Sequence, residues 1–362
     1  METPCLVMDA DLMEANLHTL QAAVNRAGKA LRPHAKSHRC SRIAHRQVQV
    51  GAVGICVAKL REAEVLALSG ITDILLTGPV ADSTRLQRVP ALLERAPHLM
   101  LVLDSHETAR ILHQSLAAHN RSLDILIDLD VGLHRTGIPP CDAVSFARAL
   151  AAFPTLRLRG IQAYAGQVQH IRAFEERRTA SLTCMKEAGQ TFESLRRQYP
   201  ACTIFTGGGT GTFDIDIEIP ALTDLQAGSY ALMDADYRTV QSRGCLTPTH
   251  TFTPPLRLLT TVIGTHHPSH VTVDAGLKTM YRDGASPVPA EPEWSHLSYE
   301  WFGDEYGRLL TPPGTRRPRC GDRISLYVSH CDPTVNLFDA FNMIRAGSPA
   351  ETWPIDLRGC SQ

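Results

Sequence analysis

The chain has no excess of charge of either sign, no long apolar run and no CxxC pair. It contains 36 Lys and Arg against 37 Asp and Glu, a formal net charge of −1. This balance argues against a nucleic-acid or anionic-membrane partner, because such partners attract strongly basic proteins. No apolar stretch approaches the ~20 residues that a helix needs to span a bilayer. We therefore expect no nucleic acid and no membrane among its partners.

The start of the chain and its cysteines both predict a cytoplasmic protein. Met1-Glu2-Thr3-Pro4 has neither the basic segment nor the apolar stretch of a signal peptide. The ten cysteines are scattered, and several, such as Cys56, lie in apolar runs that suit buried, reduced thiols. With 362 residues, 43% of them hydrophobic, the chain can fill one large or two medium domains.

Short apolar runs alternate with longer amphipathic segments over the first two thirds of the chain. The predicted strands cover residues 31–36, 55–59, 73–78, 99–104, 123–130, 156–164, 202–208 and 224–233. The predicted helices include 60–68, 83–96, 106–119, 142–152 and 173–198. Strand–helix alternation predicts a parallel sheet, and eight such units match an α/β fold of the (β/α)8 TIM-barrel type. An open, doubly wound sheet is the alternative.

The pattern changes near residue 240, which predicts a second domain. Thr247-Pro248-Thr249 and Thr253-Pro254-Pro255 mark the boundary. Beyond it, short apolar runs and many turns replace helical periodicity, which favours an all-β fold. We therefore predict a barrel over residues 10–240 and a C-terminal β-domain over 241–362. The strand predicted within residues 1–9 has no place in the barrel and is expected to pair with the β-domain.

Lys36 follows the first predicted barrel strand, where barrel enzymes keep their catalytic groups. There a lysine can form a Schiff base, which requires a pKa lowered by burial and by nearby cations. Arg32, His34, His38 and Arg39 are candidates for those cations. Taken alone, the basic turn favours an ordinary surface lysine, so the interpretation depends on the other motifs.

A glycine-rich segment, Thr206-Gly207-Gly208-Gly209-Thr210-Gly211-Thr212, follows the seventh predicted strand. Glycines let backbone N–H groups approach an anion, and the threonine hydroxyls add donors. Barrels frequently bind phosphate after strands seven and eight, and Gly228-Ser229-Tyr230 lies in the predicted eighth strand. No long helix follows the loop, which argues against a dinucleotide. We predict a site for a single phosphate, with a flexible loop as the alternative.

Polar residues also follow the fifth and sixth predicted strands. Arg135 is suited to donate to a phenolate or carboxylate of a ligand. Tyr164 and His170 are candidates for acid–base or positioning groups. Structural roles, an Asp–Arg turn and a structural histidine, are the alternatives.

His330 and Asp332 are a candidate metal pair near the end of the chain. If the chain is extended there, the two side chains share a face and Cys331 points the other way. Imidazole and carboxylate together suit Mn²⁺ or Zn²⁺. Two protein ligands would leave coordination positions for water and substrate, as a catalytic metal requires.

Taken together, these motifs resemble the fold-type III, alanine racemase-like pyridoxal 5'-phosphate (PLP) enzymes. Within them the chain is similar to the branch of D-threonine aldolase, D-3-hydroxyaspartate aldolase and D-serine dehydratase. The resemblance is carried by Pro33-His34-Ala35-Lys36-Ser37-His38, Arg135-Thr136-Gly137, the glycine loop, and His330-Cys331-Asp332-Pro333-Thr334-Val335-Asn336.

The resemblance implies residue roles. Lys36 would hold PLP as a Schiff base, Arg135 would contact its phenolic oxygen, and Tyr164 and His170 would line the substrate side. His170 would take the substrate hydroxyl proton, and Lys36 would later return a proton to Cα. The remaining cofactor-binding residues would be Thr206, Gly208, Gly209, Thr210, Gly211, Gly228, Ser229 and Tyr230.

The resemblance also implies the metal and the reaction. His330 and Asp332 would bind a divalent cation, Mn²⁺ first, with Zn²⁺ or Mg²⁺ as alternatives. Aldolases of this branch carry H-x-D and the D-serine dehydratases H-x-C, so Asp332 favours an aldolase. In one departure, Tyr306 stands where related proteins often have the histidine of Glu-His-Gly.

The implied function is cleavage of D-β-hydroxy-α-amino acids, D-threonine among them, to glycine and an aldehyde by a homodimer. The first alternative is a D-serine or D-3-hydroxyaspartate dehydratase-type ammonia-lyase built from the same parts. A racemase has no need of the metal pair. A non-catalytic PLP-binding protein has no need of a second domain.

Overall fold

The structure is a computed structural model that describes residues 1–244 and 251–362. Thr247-Pro248-Thr249, on which part of the domain prediction rests, lies outside the described residues, as does Cys245. The strands are β1 (Cys5–Asp9), β2 (Ala30–Leu31), β3 (Ile55–Val57), β4 (Ile74–Leu76), β5 (Met100–Leu103), β6 (Leu123–Leu129), β7 (Leu156–Ala163), β8 (Ile204–Gly207), β9 (Asp224–Leu225), β10 (Leu256–Gly264), β11 (His270–Val273), β12 (Val288–Pro289), β13 (Ser298–Trp301), β14 (Gly307–Leu310), β15 (Arg323–Tyr327), β16 (Ala340–Arg345) and β17 (Ser348–Pro354).

The helices lie mainly between the first nine strands. They are α1 (Ala10–Arg26), α2 (Ser41–Val50), α3 (Leu60–Leu68), α4 (Ser83–Leu86), α5 (Val89–Arg95), α6 (His106–Ala118), α7 (Ala143–Leu150), α8 (Phe174–Gln198), α9 (Phe213–Asp216) and α10 (Cys331–Val335). No helix in the described part of the chain is long and apolar enough to cross a membrane.

The described chain divides into two compact units. The barrel unit comprises residues 20–36, 41–228 and 360–362, and the strand unit comprises 1–19, 37–40 and 229–359. The chain therefore passes from the barrel unit into the strand unit between Gly228 and Ser229.

The barrel unit contains eight parallel strands in the order β2-β9-β8-β7-β6-β5-β4-β3. A parallel bridge between His34 and Cys56 joins the two end strands, and Ala35 N donates to Cys56 O over 2.8 Å. The strands are buried almost throughout, as expected for parallel strands covered on both faces. The predicted (β/α)8 barrel is confirmed.

The strand unit is a mostly antiparallel sheet in the order β13-β14-β11-β10-β1-β16-β17, with β15 beside β10 and β12 beside β15. Burial alternates along β10, as in a strand with one face on a core. Strand β1 pairs antiparallel with β10 and parallel with β16. A second, mostly β domain is thus present, as predicted.

Three predicted elements differ from the structure. The strand predicted over 31–36 covers only Ala30–Leu31, and His34 forms an isolated bridge before the turn. The strand predicted over 224–233 ends at Leu225, and a 3₁₀ turn follows at Ser229–Ala231. The helix predicted over 83–96 is split into α4 and α5. Pro90, in the first turn of α5, explains the split, because a proline has no N–H and its ring clashes with the preceding helical turn.

Candidate active site

Lys36 lies in the turn that follows β2, at the carboxyl end of the barrel strands, and it is half-buried. Its backbone N–H donates to His34 Nδ1 over 3.4 Å, which places the imidazole proton on Nε2. His34 Nε2 lies 3.0 Å from Thr77 Oγ1, and Thr77 donates in turn to Val57 O. The turn that carries Lys36 is therefore tied to the neighbouring strand β3 and to the residue after β4.

Two of the residues expected to supply positive charge near Lys36, Arg32 and Arg39, bind other side chains. Arg32 is buried and forms an ion pair with Asp73, and Asp224 also acts on it. Its charge is therefore compensated inside the barrel. Arg39 donates to Asn336 Oδ1 over 3.0 Å within the strand unit. Arg32 thus forms an ion pair, and Arg39 forms a hydrogen bond to an amide side chain.

The glycine loop is closely packed against Gln169 and Asp216. Gly208 has φ +73°, and a Cβ added there would lie 2.5 Å from Asp216 Oδ2. A Cβ at Gly209 would lie 2.4 Å from Gln169 Oε1, and one at Gly211 would lie 2.0 Å from the Gln169 carbonyl oxygen. Glycine is therefore required here by close approach as well as by conformation.

Buried polar side chains hold this loop from behind. Gly211 N–H donates to Gln169 Oε1 over 3.0 Å, and Arg177 Nε donates to Gly211 O over 2.7 Å. Asp216 accepts from Ser181 Oγ over 2.8 Å and from the Thr212 hydroxyl. Burial raises the pKa of Asp216 to about 6, although these hydrogen bonds act in the opposite direction. The loop is thus a fixed element.

Sheet order brings Lys36 and the glycine loop to one end of the barrel. Strands β2, β9 and β8 are adjacent, and their carboxyl ends lead into Lys36, Gly228 and Gly208 respectively. A half-buried lysine beside a glycine-rich anion loop is a donor set that suits an aldehyde cofactor with a phosphate group. The residues present therefore fit PLP.

A polar network fills the barrel interior near this end. Gln226 Nε2 donates to Gln162 Oε1 over 3.0 Å and to Thr206 Oγ1 over 3.1 Å. Gln162 Nε2 donates in turn to Asp128 Oδ1 over 2.8 Å, and Thr136 Oγ1 donates to Asp128 Oδ2 over 2.8 Å. Burial raises the pKa of Asp128 to about 6 in spite of both bonds.

The other predicted residues of the barrel unit lie around the strand ends. Arg135 is exposed, and its guanidinium carbon lies 5.9 Å from the centre of the Tyr164 ring. His170 is exposed between the 3₁₀ turn Gly166–Val168 and α8. Thr210 is buried in the glycine loop. The structure thus brings Arg135 and Tyr164 together.

Two residues predicted to bind the cofactor belong to the strand unit. Ser229 Oγ donates to Asp332 Oδ1 over 3.4 Å. Tyr230 is fully buried, with its ring centre 5.7 Å from that of Phe252. Ser229 therefore contacts a predicted metal ligand and directly follows Gly228 in the chain.

The backbone at the candidate metal pair is not extended as supposed. His330 has extended torsion angles, but α10 begins at Cys331 and contains Asp332. The two side chains still converge, with 4.0 Å between His330 Nε2 and Asp332 Oδ1. Cys331 is buried, and Asp234 accepts its backbone N–H over 3.0 Å, which secures the start of α10. Burial, together with the neighbouring carboxylates, raises the pKa of the Cys331 thiol well above its usual value.

The described residues contain no group of three or more His, Cys, Asp and Glu side chains placed to hold a metal. His330 Nε2 and Asp332 Oδ1 lie 4.0 Å apart, and a nitrogen and a carboxylate oxygen are donors that suit a hard or borderline divalent cation. Tyr306 is exposed in the turn between β13 and β14. It takes no part in this pair.

Sequence reasoning missed several polar residues, of which four are buried and one, Asp283, is exposed. Gln169 and Gln226 were overlooked because glutamines carry no motif of their own. Asp216 and Arg177 support the glycine loop from α9 and α8, and Asp283, 47 residues before His330 in the chain, hydrogen-bonds it. No signal singles out Asp216, because it is one of three acidic residues, Asp214, Asp216 and Glu218, that alternate with apolar residues.

Comparisons with known proteins agree with this geometry. Residues 8–233 match the family described as "Alanine racemase, N-terminal domain", and residues 255–344 match "Putative serine dehydratase domain". The chain is 37% identical to a D-threonine aldolase of Arthrobacter sp, over 100% of this chain and 94% of the relative. It is 31% identical to a 3-hydroxy-D-aspartate aldolase of Paracoccus denitrificans, over 99% and 92%. The structure of a D-threonine aldolase from Filomicrobium marinum superposes with a TM-score of 0.94 at 35% identity, over 100% of this chain and 96% of that one.

Proposed function

The chain belongs to the alanine racemase-like family of PLP enzymes, and from that premise we propose that it is a PLP- and divalent-metal-dependent aldolase. It cleaves D-β-hydroxy-α-amino acids of the D-threonine type to glycine and an aldehyde. The observation that carries this proposal is the juxtaposition of β2, β9 and β8, whose ends bring Lys36 and the glycine loop to one end of the barrel. Full-length similarity to two carbon–carbon lyases supports it.

Residues of the barrel end bind and orient the cofactor. Lys36 would hold it covalently, and the glycine loop, Gly228 and Ser229 would hold its phosphate. Arg135, which lies over Tyr164, donates to the phenolic oxygen. When bound, PLP supplies an electron sink for the carbanion that develops at Cα.

Two side chains move protons. His170 takes the proton of the substrate β-hydroxyl as the Cα–Cβ bond breaks, and its exposure in the segment before α8 leaves it accessible to substrate. Lys36 Nζ then delivers a proton to Cα, which gives glycine. Tyr164 positions the substrate beside these groups.

The strand unit supplies the metal pair. His330 Nε2 and the Asp332 carboxylate hold a divalent cation, with Mn²⁺ as the first expectation and Zn²⁺ or Mg²⁺ as alternatives. When bound, such a cation would supply Lewis acidity that lowers the pKa of a coordinated hydroxyl.

The second candidate is an ammonia-lyase of the D-serine or D-3-hydroxyaspartate dehydratase type. Residues 255–344 match a family described as a putative serine dehydratase domain, which favours it. In this alternative Lys36 removes the Cα proton and the β-hydroxyl leaves. Asp332 favours the aldolase, since the resemblance associates H-x-D with aldolases and H-x-C with D-serine dehydratases.

The cellular setting is proposed on narrower grounds. The cysteines of the sequence are scattered without a CxxC pair and several lie in apolar runs, which suits the reduced thiols of a cytoplasmic protein. A homodimer is proposed from the family resemblance.

A product assay with D-threonine, PLP and Mn²⁺ tests the proposal. We expect glycine and acetaldehyde from the aldolase, whereas ammonia and 2-oxobutanoate would establish the dehydratase. The Lys36→Ala protein should lose both this activity and the visible absorbance of the bound cofactor. Retention of that absorbance would overturn the assignment of Lys36, and a coloured protein inert toward all β-hydroxy-amino acids would favour a non-catalytic PLP-binding protein.

A further inference from the structure

His330 has a second carboxylate neighbour besides Asp332. Its Nδ1 lies 3.1 Å from Asp283 Oδ2, and its Nε2 lies 4.0 Å from Asp332 Oδ1. The imidazole therefore stands between two carboxylates, one at each ring nitrogen. The two contacts are chemically distinct, because only the shorter is within hydrogen-bond distance.

The Asp283 contact determines the tautomer of His330. An ionised carboxylate can only accept, so the proton of the imidazole must lie on Nδ1. Nε2 then carries the lone pair, and it is this nitrogen that faces Asp332. A neutral imidazole with a free Nε2 lone pair is the form that binds a metal.

The loop that carries Asp283 is tied to the chain on both sides of His330. The Ser329 hydroxyl donates to Tyr281 O, and Tyr281 N–H donates to Thr334 Oγ1 over 3.3 Å. Ser329 and Thr334 are fully buried, so the loop is anchored to buried side chains on both sides of His330. Asp283 is therefore held at His330 by bonds that do not involve its own side chain.

Two further contacts direct the loop. Trp301 Nε1 donates to Met280 O over 3.1 Å, and the Arg282 guanidinium lies over the same indole at 5.7 Å. Gly284 has φ +77°, a conformation that glycine adopts without strain, and it turns the chain directly after Asp283. The side chain of Arg282 is thus drawn to Trp301, while Asp283 faces His330.

We propose that Asp283 is a positioning residue for the metal site, which orients His330 and fixes its tautomer so that Nε2 binds the cation. A histidine that ligates a metal typically donates its other N–H to such an acceptor, and loss of the acceptor weakens metal binding about 10- to 100-fold. This inference rests on the proposed metal role of His330 and Asp332. Asp283 itself touches neither substrate nor cofactor in this assignment.

The test is a Mn²⁺ titration of the PLP-loaded protein after treatment with a chelator, followed by electron paramagnetic resonance of free Mn²⁺. We expect Asp283→Ala to raise the Mn²⁺ dissociation constant about 10- to 100-fold. Asp283→Asn keeps an acceptor oxygen and should lose less. Asp304→Asn, which alters an exposed carboxylate of the same unit, is the matched control and should bind as wild type does.

Each outcome decides a separate question. Mn²⁺ binding to Asp283→Ala within about twofold of wild type would overturn the role of Asp283 alone. Wild-type binding no tighter than that of His330→Ala would overturn the metal pair and, with it, this inference. Unchanged cofactor absorbance and melting temperature exclude a folding defect. If Asp283→Ala does not fold, a Mn²⁺ dissociation constant within about twofold of wild type in Asp283→Ser, which lacks the carboxylate, would equally overturn the proposal.

Discussion

Asp332 occupies the first turn of α10, directly after the extended residue His330. Its Oδ1 lies 3.4 Å from both Ser229 Oγ and Cys331 Sγ, and 4.0 Å from His330 Nε2. The carboxylate is therefore placed by the start of a helix, and its distance to the imidazole does not depend on an extended chain. Replacing Asp332 by cysteine would therefore exchange the proposed hard oxygen ligand for a soft sulfur ligand.

Replacing Asp332 by cysteine should change which metal the protein prefers. Thiolate ligands favour Zn²⁺ over Mn²⁺, so we expect the Zn²⁺-to-Mn²⁺ affinity ratio to rise by about tenfold or more. Competition between the two ions, measured under reducing conditions, gives this ratio. Asp304→Cys is the control, because it adds the same thiol at an exposed position elsewhere in the strand unit. An unchanged ratio in Asp332→Cys would argue that this position is not a ligand.

At the scale of elements, two glycines of the barrel unit have opposite requirements. Gly189 lies within α8, and a Cβ there would lie 3.7 Å from Ala221 Cβ, an ordinary contact. Gly211 lies in the glycine loop, where a Cβ would lie 2.0 Å from the Gln169 carbonyl oxygen. Gly189 lowers the stability of its helix although there is space for a side chain. Gly211 is required because the backbone of Gln169 leaves no space for one.

Alanine at these two positions should therefore act in opposite directions. Gly189→Ala should raise the free energy of unfolding by about 0.5–1 kcal/mol, since alanine is the better helix former. Gly211→Ala should lower it by about 1–3 kcal/mol, because the loop and Gln169 must move apart. Gly211→Ala should also weaken cofactor binding. Urea unfolding and PLP titration measure the two effects, and equal stability of both variants would contradict the packing described.

The sequence predicts elements best where one physical signal acts alone. Helix α3 coincides with its prediction over residues 60–68, because its periodicity is uninterrupted. The apolar residues from Tyr230 to Met233 correctly indicate burial, but burial does not distinguish a strand from the 3₁₀ turn that the structure contains. Pro90 was an available signal for the split between α4 and α5.

The candidate site was predictable only where residues adjoin a strand end. Lys36 lies in the turn after β2 and the glycine loop follows β8, so topology alone brings them to one end of the barrel. Asp283 lies in a loop that contacts His330 through tertiary structure, and no local pattern indicates such a pairing. The start of α10 at Cys331 was likewise missed, because its first turn includes the proline of Asp332-Pro333.

At the scale of the whole molecule, two buried carboxyl groups link stability to pH. Burial raises the pKa of Asp128 and that of Asp216 from 3.8 to about 6. Both groups therefore bind protons more tightly in the folded chain than in the unfolded chain. A pKa of about 6 in place of 3.8 corresponds to about 3 kcal/mol for each group at most.

The sign of the pH effect follows from proton binding. Between about pH 4 and pH 6 the folded state holds more protons on these groups than the unfolded state does, so their contribution to the free energy of unfolding falls as pH rises. Below about pH 4 both states are protonated, and above about pH 6 both are ionised, so the contribution is constant outside this window. Other titratable groups also make the free energy of unfolding depend on pH, so a variant is needed to isolate the contribution of one carboxyl group.

Asp128→Asn removes the titrating group while keeping the size of the side chain. Its hydrogen bonds to Gln162 and Thr136 will change, but that loss is the same at every pH. Relative to wild type, the variant should therefore gain stability by up to about 3 kcal/mol from pH 4 to pH 7. Denaturant unfolding at a series of pH values measures the difference, with Asp304→Asn as the exposed control. A difference that stays constant with pH would show that the Asp128 carboxyl is ionised at pH 4 in the folded protein, and that its hydrogen bonds outweigh its burial.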